Sequence, residues 1–140
     1  MRPVEFTTRH QGTSTEVPGR WCNAYPTARD AVEEAWVHKA QGYMSTPVIW
    51  EGHAYIHLKS QRFMCLELKT GEERWTTSES FGKYWSLVRS GNQILALDQR
   101  GSLYLLLATP ARFVALDKVS LTDQEAWAHL AAAGREQPAR

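Results

Sequence analysis

From Trp36 onward, short apolar or alternating runs are separated by turn residues, a pattern that predicts strands rather than helices. The runs are "AWVHKA", "STPVIW", "HAYIHLK", "RFMCLEL" and "ERWTTS", then "WSLVRS", "QILALDQ", "SLYLLLA" and "RFVALDKV", and finally "AWAHLAA". In the third of these, His53, Tyr55, His57 and Lys59 alternate with Ala54, Ile56 and Leu58, so the four polar side chains share one strand face. Residues 1–34 lack such a period. They are polar and broken by Pro3, Gly12, Pro18, Gly19 and Pro26, which predicts an irregular arm holding at most a short strand at "VEFTT". One segment has a rival reading: "TDQEAWAHLAAAG" is Ala-rich, and Thr122 with Glu125 could form a capping box, so helix competes with strand there.

The strand pattern repeats. Trp36 to Trp75 and Gly52 to Gly91 are both 39 residues, and on that offset "PVIWEGHAYIHL" lies over "SLVRSGNQILAL". Gly101 acts as one inserted residue, after which "RFMCLEL" lies over "SLYLLLA", and "WAHLAAAG" opens a third register ending at Gly134. A period of about 40 residues built from four short strands is that of a propeller blade. The expected fold is therefore all-β, a partial β-propeller of two four-stranded antiparallel blades over 35–134, with a polar tail at 135–140. "AWVHK" would be an outer strand before the blades and "AWAHLA" an inner strand after them.

The stretch "CLELKTGEERW" supplies the family resemblance. It resembles the tryptophan-docking motif of pyrroloquinoline-quinone-type (PQQ-like) propellers, in which Ala-x-Asp-x-x-x-Gly-Lys-x-x-Trp recurs. Cys65 stands for the Ala and Glu67 for the Asp; Thr70, Gly71 and Trp75 match, and Glu72 departs from the Lys. "STPVIWEGHAYIHL" is similar to the family's first two strands. The likeness covers residues 36 to 134, and the second repeat keeps the strands but has Ala115 near the expected Trp. The resemblance implies that Thr70-Gly71 turn the chain between third and fourth strands and that Trp75 docks on the neighbouring blade. Pro47 would sit on an innermost strand, a position that tolerates a missing N–H.

Two blades do not close a ring, since propellers use about four to eight. The chain reads as a piece of a larger propeller, and self-association of copies by cyclic symmetry, as a dimer or trimer, is the expected remedy for its open faces. With 43% hydrophobic and 22% charged residues, the 140-residue chain has the make-up of one folded domain. Sixteen basic against fifteen acidic residues leave no single-sign field for nucleic acid or anionic lipid. No apolar run reaches the roughly 18 residues of a membrane span. The N-terminal residues have no apolar core of a secretion signal, and the compartment stays open. Cys22 and Cys65 fit no metal spacing and read as free thiols, with a disulfide as the alternative.

Candidate chemistry is sparse. His57 reads first as a buried histidine bonded to backbone, and second as a ligand or general base. His129 falls in register with Pro47 and Ser86, so His57 of one copy and His129 of the next could share a zinc or another divalent ion with an open water position. Lys59, Arg62 and Gln61 lie on the turn after His57's strand and could hold an anion. Lys83, Tyr84 and Trp85 stand at the mouth of the second inner strand, where the two aromatics either line a channel or fill the blade joint. Quinone-dependent relatives use an adjacent cysteine pair and calcium-binding carboxylates, neither of which is seen, so no PQQ is expected. Two functions follow. One is a non-catalytic binding or scaffold module; the other is a zinc-type hydrolase of phosphoesters with its histidines at a subunit interface. The small-molecule ligand is not specified by the sequence.

Overall fold

The computed structural model describes residues 20–28 and 31–133. "VEFTT", Gly134 and the tail at 135–140 lie outside the described residues. Residues 20–41, read as arm up to residue 34, instead contain a hairpin: β1 (Arg20–Ala28) pairs antiparallel with β2 (Ala31–Gln41). The first four-stranded sheet, blade 1, runs β3 (Val48–Trp50), β4 (His53–His57), β5 (Phe63–Glu67) and β6 (Glu73–Thr76) in chain order. The second, blade 2, repeats that order with β7 (Trp85–Ser90), β8 (Gln93–Asp98), β9 (Ser102–Leu107) and β10 (Ala115–Ser120). Both are antiparallel meanders, and among the described residues there is no helix. No helix is long and apolar enough to cross a membrane.

The first turn of each blade sets the register. In blade 1, Glu51 and Gly52 both have positive φ, 43° and 75°, as a two-residue type I′ turn requires. In blade 2 the glycine comes first, Gly91 at φ 58° followed by Asn92, the order of a II′ turn. Trp50 pairs with His53 and Ser90 with Gln93, so equivalent residues lie 40 apart by hydrogen bonding, not the 39 that aligning the glycines suggests. Because one residue of slip reverses every side chain, two expectations change. His57 corresponds to Leu97 rather than Ala96, and the place of Trp75, opposite Cys65, is taken in blade 2 by Asp117, opposite Leu105, rather than by Ala115.

Each blade has a near face toward the preceding unit and a far face toward the next. The near face of blade 1 buries Ala54, Ile56, Leu58, Met64, Leu66 and Leu68 under Trp36 and Ala40 of β2. Its far face presents Val48, Tyr55, Phe63 and Cys65 to Trp85, Ile94, Ala96 and Leu106 on the near face of blade 2. On the far face of blade 2 the ladder lines up two rows, Val88–Leu95–Leu105–Asp117 and Ser86–Leu97–Leu103–Val119. Ser86 and Leu97 are buried, Val88, Leu95, Leu103 and Leu105 are partly buried, and Asp117 and Val119 are exposed, Val119 to 50%.

After β10 the chain forms neither of the two elements weighed for it. Residues 121–133 carry no strand or helix. The Thr122 hydroxyl accepts from Gln124 N two residues on, a local turn, and Ala126 N donates to Gln99 O, so the chain is drawn along blade 2 instead of coiling. Pro47 stands just before β3 rather than within it.

Candidate functional site

The chemistry-bearing residues gather at the joint between the two blades. His57, the last residue of β4, is fully buried and stacks on Trp85 of β7 at 5.3 Å between ring centroids and 19° between planes. Trp85 is itself fully buried and touches Phe63, Phe81 and Tyr104. Neither nitrogen of His57 has a hydrogen-bond partner among the described residues, and the same holds for Trp85 Nε1 and the Tyr55 hydroxyl. Burial drives the His57 pKa down to about 4; the charge of Asp98 and the backbone at Gly82 pull the other way and are outweighed. The imidazole is therefore a neutral aromatic plate at pH 7, packed against an indole.

Asp98 supplies the joint's buried charge. Its carboxylate accepts from Gly82 N at 3.1 Å and Arg100 N at 2.9 Å, so its oxygens are satisfied by backbone. Gln99 Oε1 accepts from Lys83 N at 3.0 Å, and Arg100 donates to Phe81 O at 2.9 Å. Three consecutive residues thus clamp the "FGK" entry to β7 and aim Trp85 at His57. Sequence reading missed Asp98. The signal available was the glycine in "FGKYW", where a side chain would collide with that carboxylate.

Two tryptophans join successive units in the same way. Trp36 Nε1 donates to Leu68 O at 2.7 Å, and Trp75 Nε1 donates to Thr109 O at 2.9 Å. Each indole reaches the connection between third and fourth strands of the following blade. Gly71, at φ 74°, leaves room for Trp36: a Cβ there would stand 2.5 Å from the ring. The Thr70 hydroxyl donates to Glu67 at 2.6 Å and accepts from Glu72 N, and this contact first of all holds the Glu67 carboxyl below its usual range. Glu67, Thr70 and Gly71 thus shape the turn that seats Trp36, while Trp75, on β6, reaches the corresponding connection of blade 2. Trp75 also packs on Tyr55, Phe63 and Phe113 across the joint.

The other candidate residues are not brought together. Lys59 and Arg62 are exposed on the turn after β4, while His57, two residues before Lys59, points inward. Lys59 borders a shallow notch of about 380 Å³ with Ala40, Gln41, Leu58 and Ser60, and neither His57 nor Arg62 lines it. Tyr84 is buried and stacks on Trp127 at 5.7 Å; its hydroxyl lies 2.9 Å from His129 Nδ1. Tyr84 and Trp85 thus fill joints rather than line an opening. His57 and His129 do not meet within the chain, and His57 has no surface to offer another copy. Among the described residues no three His, Cys, Asp or Glu side chains gather as metal ligands. Cys65 is a buried free thiol whose pKa burial pushes up to about 11; the side chain of Cys22 lies outside the described residues.

Comparison with known proteins bears on the fold. No family model and no curated protein matches the sequence. Among solved structures, BamB from Moraxella catarrhalis superposes with TM-score 0.56 at 16% identity over 74% of this chain and 30% of its own. AztD from Citrobacter koseri gives TM-score 0.58 at 15% identity over 79% of this chain and 32% of its own, and its apo form gives 0.54 over 78% and 31%. This chain thus spans about a third of the length of each. Both are β-propellers, and the two meanders described above are blades of a partial propeller.

Proposed function

We propose that this chain is a non-catalytic binding or scaffold module of the PQQ-like propeller type, which self-associates as a dimer or trimer to close a ring. The observation that carries the reading is the far face of blade 2. Its two rows match in position the far face of blade 1, which is buried, yet their apolar members Val88, Leu95, Leu103, Leu105 and Val119 are left partly open. Leu121, which follows β10, and Trp127, stacked on Tyr84, are exposed large apolar side chains as well, and exposed apolar surface of this kind marks association sites. The polar groups of the blade joint support structure instead of turnover: Asp98 is satisfied by backbone and His57 is sealed under Trp85.

The zinc-dependent phosphoester hydrolase has no such support, because one of its imidazoles is enclosed and the other is bonded to Tyr84. Native mass spectrometry, with and without a chelator, tests the choice. A defined metal-free oligomer is expected. A monomer at micromolar concentration would overturn the scaffold reading, and zinc lost together with the oligomer on chelation would restore the hydrolase.

A further inference from the structure

Every unit in this chain presents one face backward and one forward. The β1–β2 hairpin lies on the near face of blade 1, with Trp36 as anchor, and blade 1 lies on the near face of blade 2, with Trp75 as anchor. Among the described residues nothing comparable follows blade 2. Residues 121–133 leave along the β8–β9 turn, where Leu121 N donates to Gly101 O and Ala126 N to Gln99 O, and then reach the innermost strand, where Leu130 N donates to Ser86 Oγ at 2.7 Å and His129 meets Tyr84. Leu95, Leu103, Leu105 and Val119, on the three outer strands, keep a partly open far face.

At the opposite end of the stack the mismatch is complementary. Trp36 and Ala40 of β2 turn toward blade 1, so Val37, one residue off in the alternation, turns away from it and is 38% exposed. A two-stranded hairpin is also what the outer part of blade 2 can still receive once residues 121–133 occupy its inner side. We infer that the β1–β2 hairpin of a second copy seats its Val37 side on the far face of blade 2, repeating between chains the joint the chain makes twice within itself. The inference rests on the self-assembly reading above and adds which faces meet. The contact is head-to-tail, so each copy uses one face of each kind, and a ring forms when the rotation from unit to unit returns on itself, as it does in a propeller. Two copies hold four blades and two hairpin units, about six in all, within the four to eight that propellers use; three copies would give about nine. The closed species is therefore a dimer.

Val37→Glu and Val119→Glu place one charge on each proposed face at exposed positions; circular dichroism confirms folding before native mass spectrometry. If Val119→Glu fails to fold, Asp117→Lys replaces it, exchanging one exposed charge for another on the same face. Wild type is expected as a dimer and each variant as a monomer. A one-to-one mixture is expected to regain a two-chain species, because one intact hairpin and one intact far face remain, with a dissociation constant at least about tenfold weaker than that of the wild type. If only the blade 2 variant dissociates, or the mixture stays monomeric, the hairpin inference falls while self-assembly stands. A monomeric wild type overturns both.

Discussion

His57 is a base enclosed by its own chain, and its titration should show in the stability of the whole joint. Its native pKa is near 4 against an ordinary 6.5, so above about pH 6.5 both folded and unfolded states leave it neutral and stability is full. As pH falls from 6.5 toward 4, the unfolded chain takes up a proton that the native chain refuses, and about 3 kcal/mol of stability is lost. Urea unfolding at pH 7 and pH 4.5 measures this loss. His57→Phe should remove most of the slope attributable to this site and, by eliminating two unpaired buried nitrogens while keeping the stack on Trp85, stabilise the protein at pH 7 by about 1 kcal/mol. An unchanged slope in the variant would assign it to other groups. The Cys65 thiol, raised to about 11 and without exposed surface, should resist alkylation at pH 8 in a Cys22→Ser background until the protein is unfolded. Labelling in native buffer at the unfolded rate would contradict its burial.

At the scale of the element, two glycines with nearly the same φ separate backbone strain from packing. At Gly52, φ 75°, an added Cβ would have nothing within 4 Å, whereas at Gly71, φ 74°, it would meet the Trp36 ring at 2.5 Å. Gly52→Ala should cost about 1 kcal/mol, the penalty of a left-handed conformation alone. Gly71→Ala should cost at least about 2 kcal/mol more, since the tryptophan must leave its seat. Equal losses by chemical denaturation would mean that Trp36 does not hold the β2-to-blade joint. Trp75→Ala removes a ring that touches three aromatics and a hydrogen bond to Thr109; a loss of about 3 kcal/mol is expected. The strands were legible because in-out alternation and glycine turns are local signals. The slip between the repeats was not: "EG" and "GN" place glycine on opposite sides of the turn centre, and only the hydrogen-bond ladder shows which residues face each other.

For the whole molecule, association should couple to stability. If copies bury the far face of blade 2, the melting temperature rises with protein concentration, because the folded chains are bound and the unfolded ones are not. A concentration-independent melt from a single-chain species would contradict this. A chelator should leave both the mass and the melting temperature unchanged, since the joint is held by aromatic packing and backbone hydrogen bonds. The candidate site was less legible than the fold for the same reason. His57, Lys59 and Arg62 are close in sequence, but β4 ends between His57 and Lys59, sending the imidazole inward and leaving both cations on the surface.

The sequence by itself determined the short alternating strands, the two-blade repeat and the glycine turn at Thr70-Gly71, since each follows from side-chain period or turn chemistry. The tertiary structure alone decided which face every strand residue occupies, that β1 exists as a partner of β2, that Asp98 clamps the entry to β7, and that Leu95, Leu103, Leu105 and Val119 line up on one open face. Those outcomes depend on the pairing of strands distant in sequence, and a one-residue change of register, invisible in composition or periodicity, exchanges core for surface.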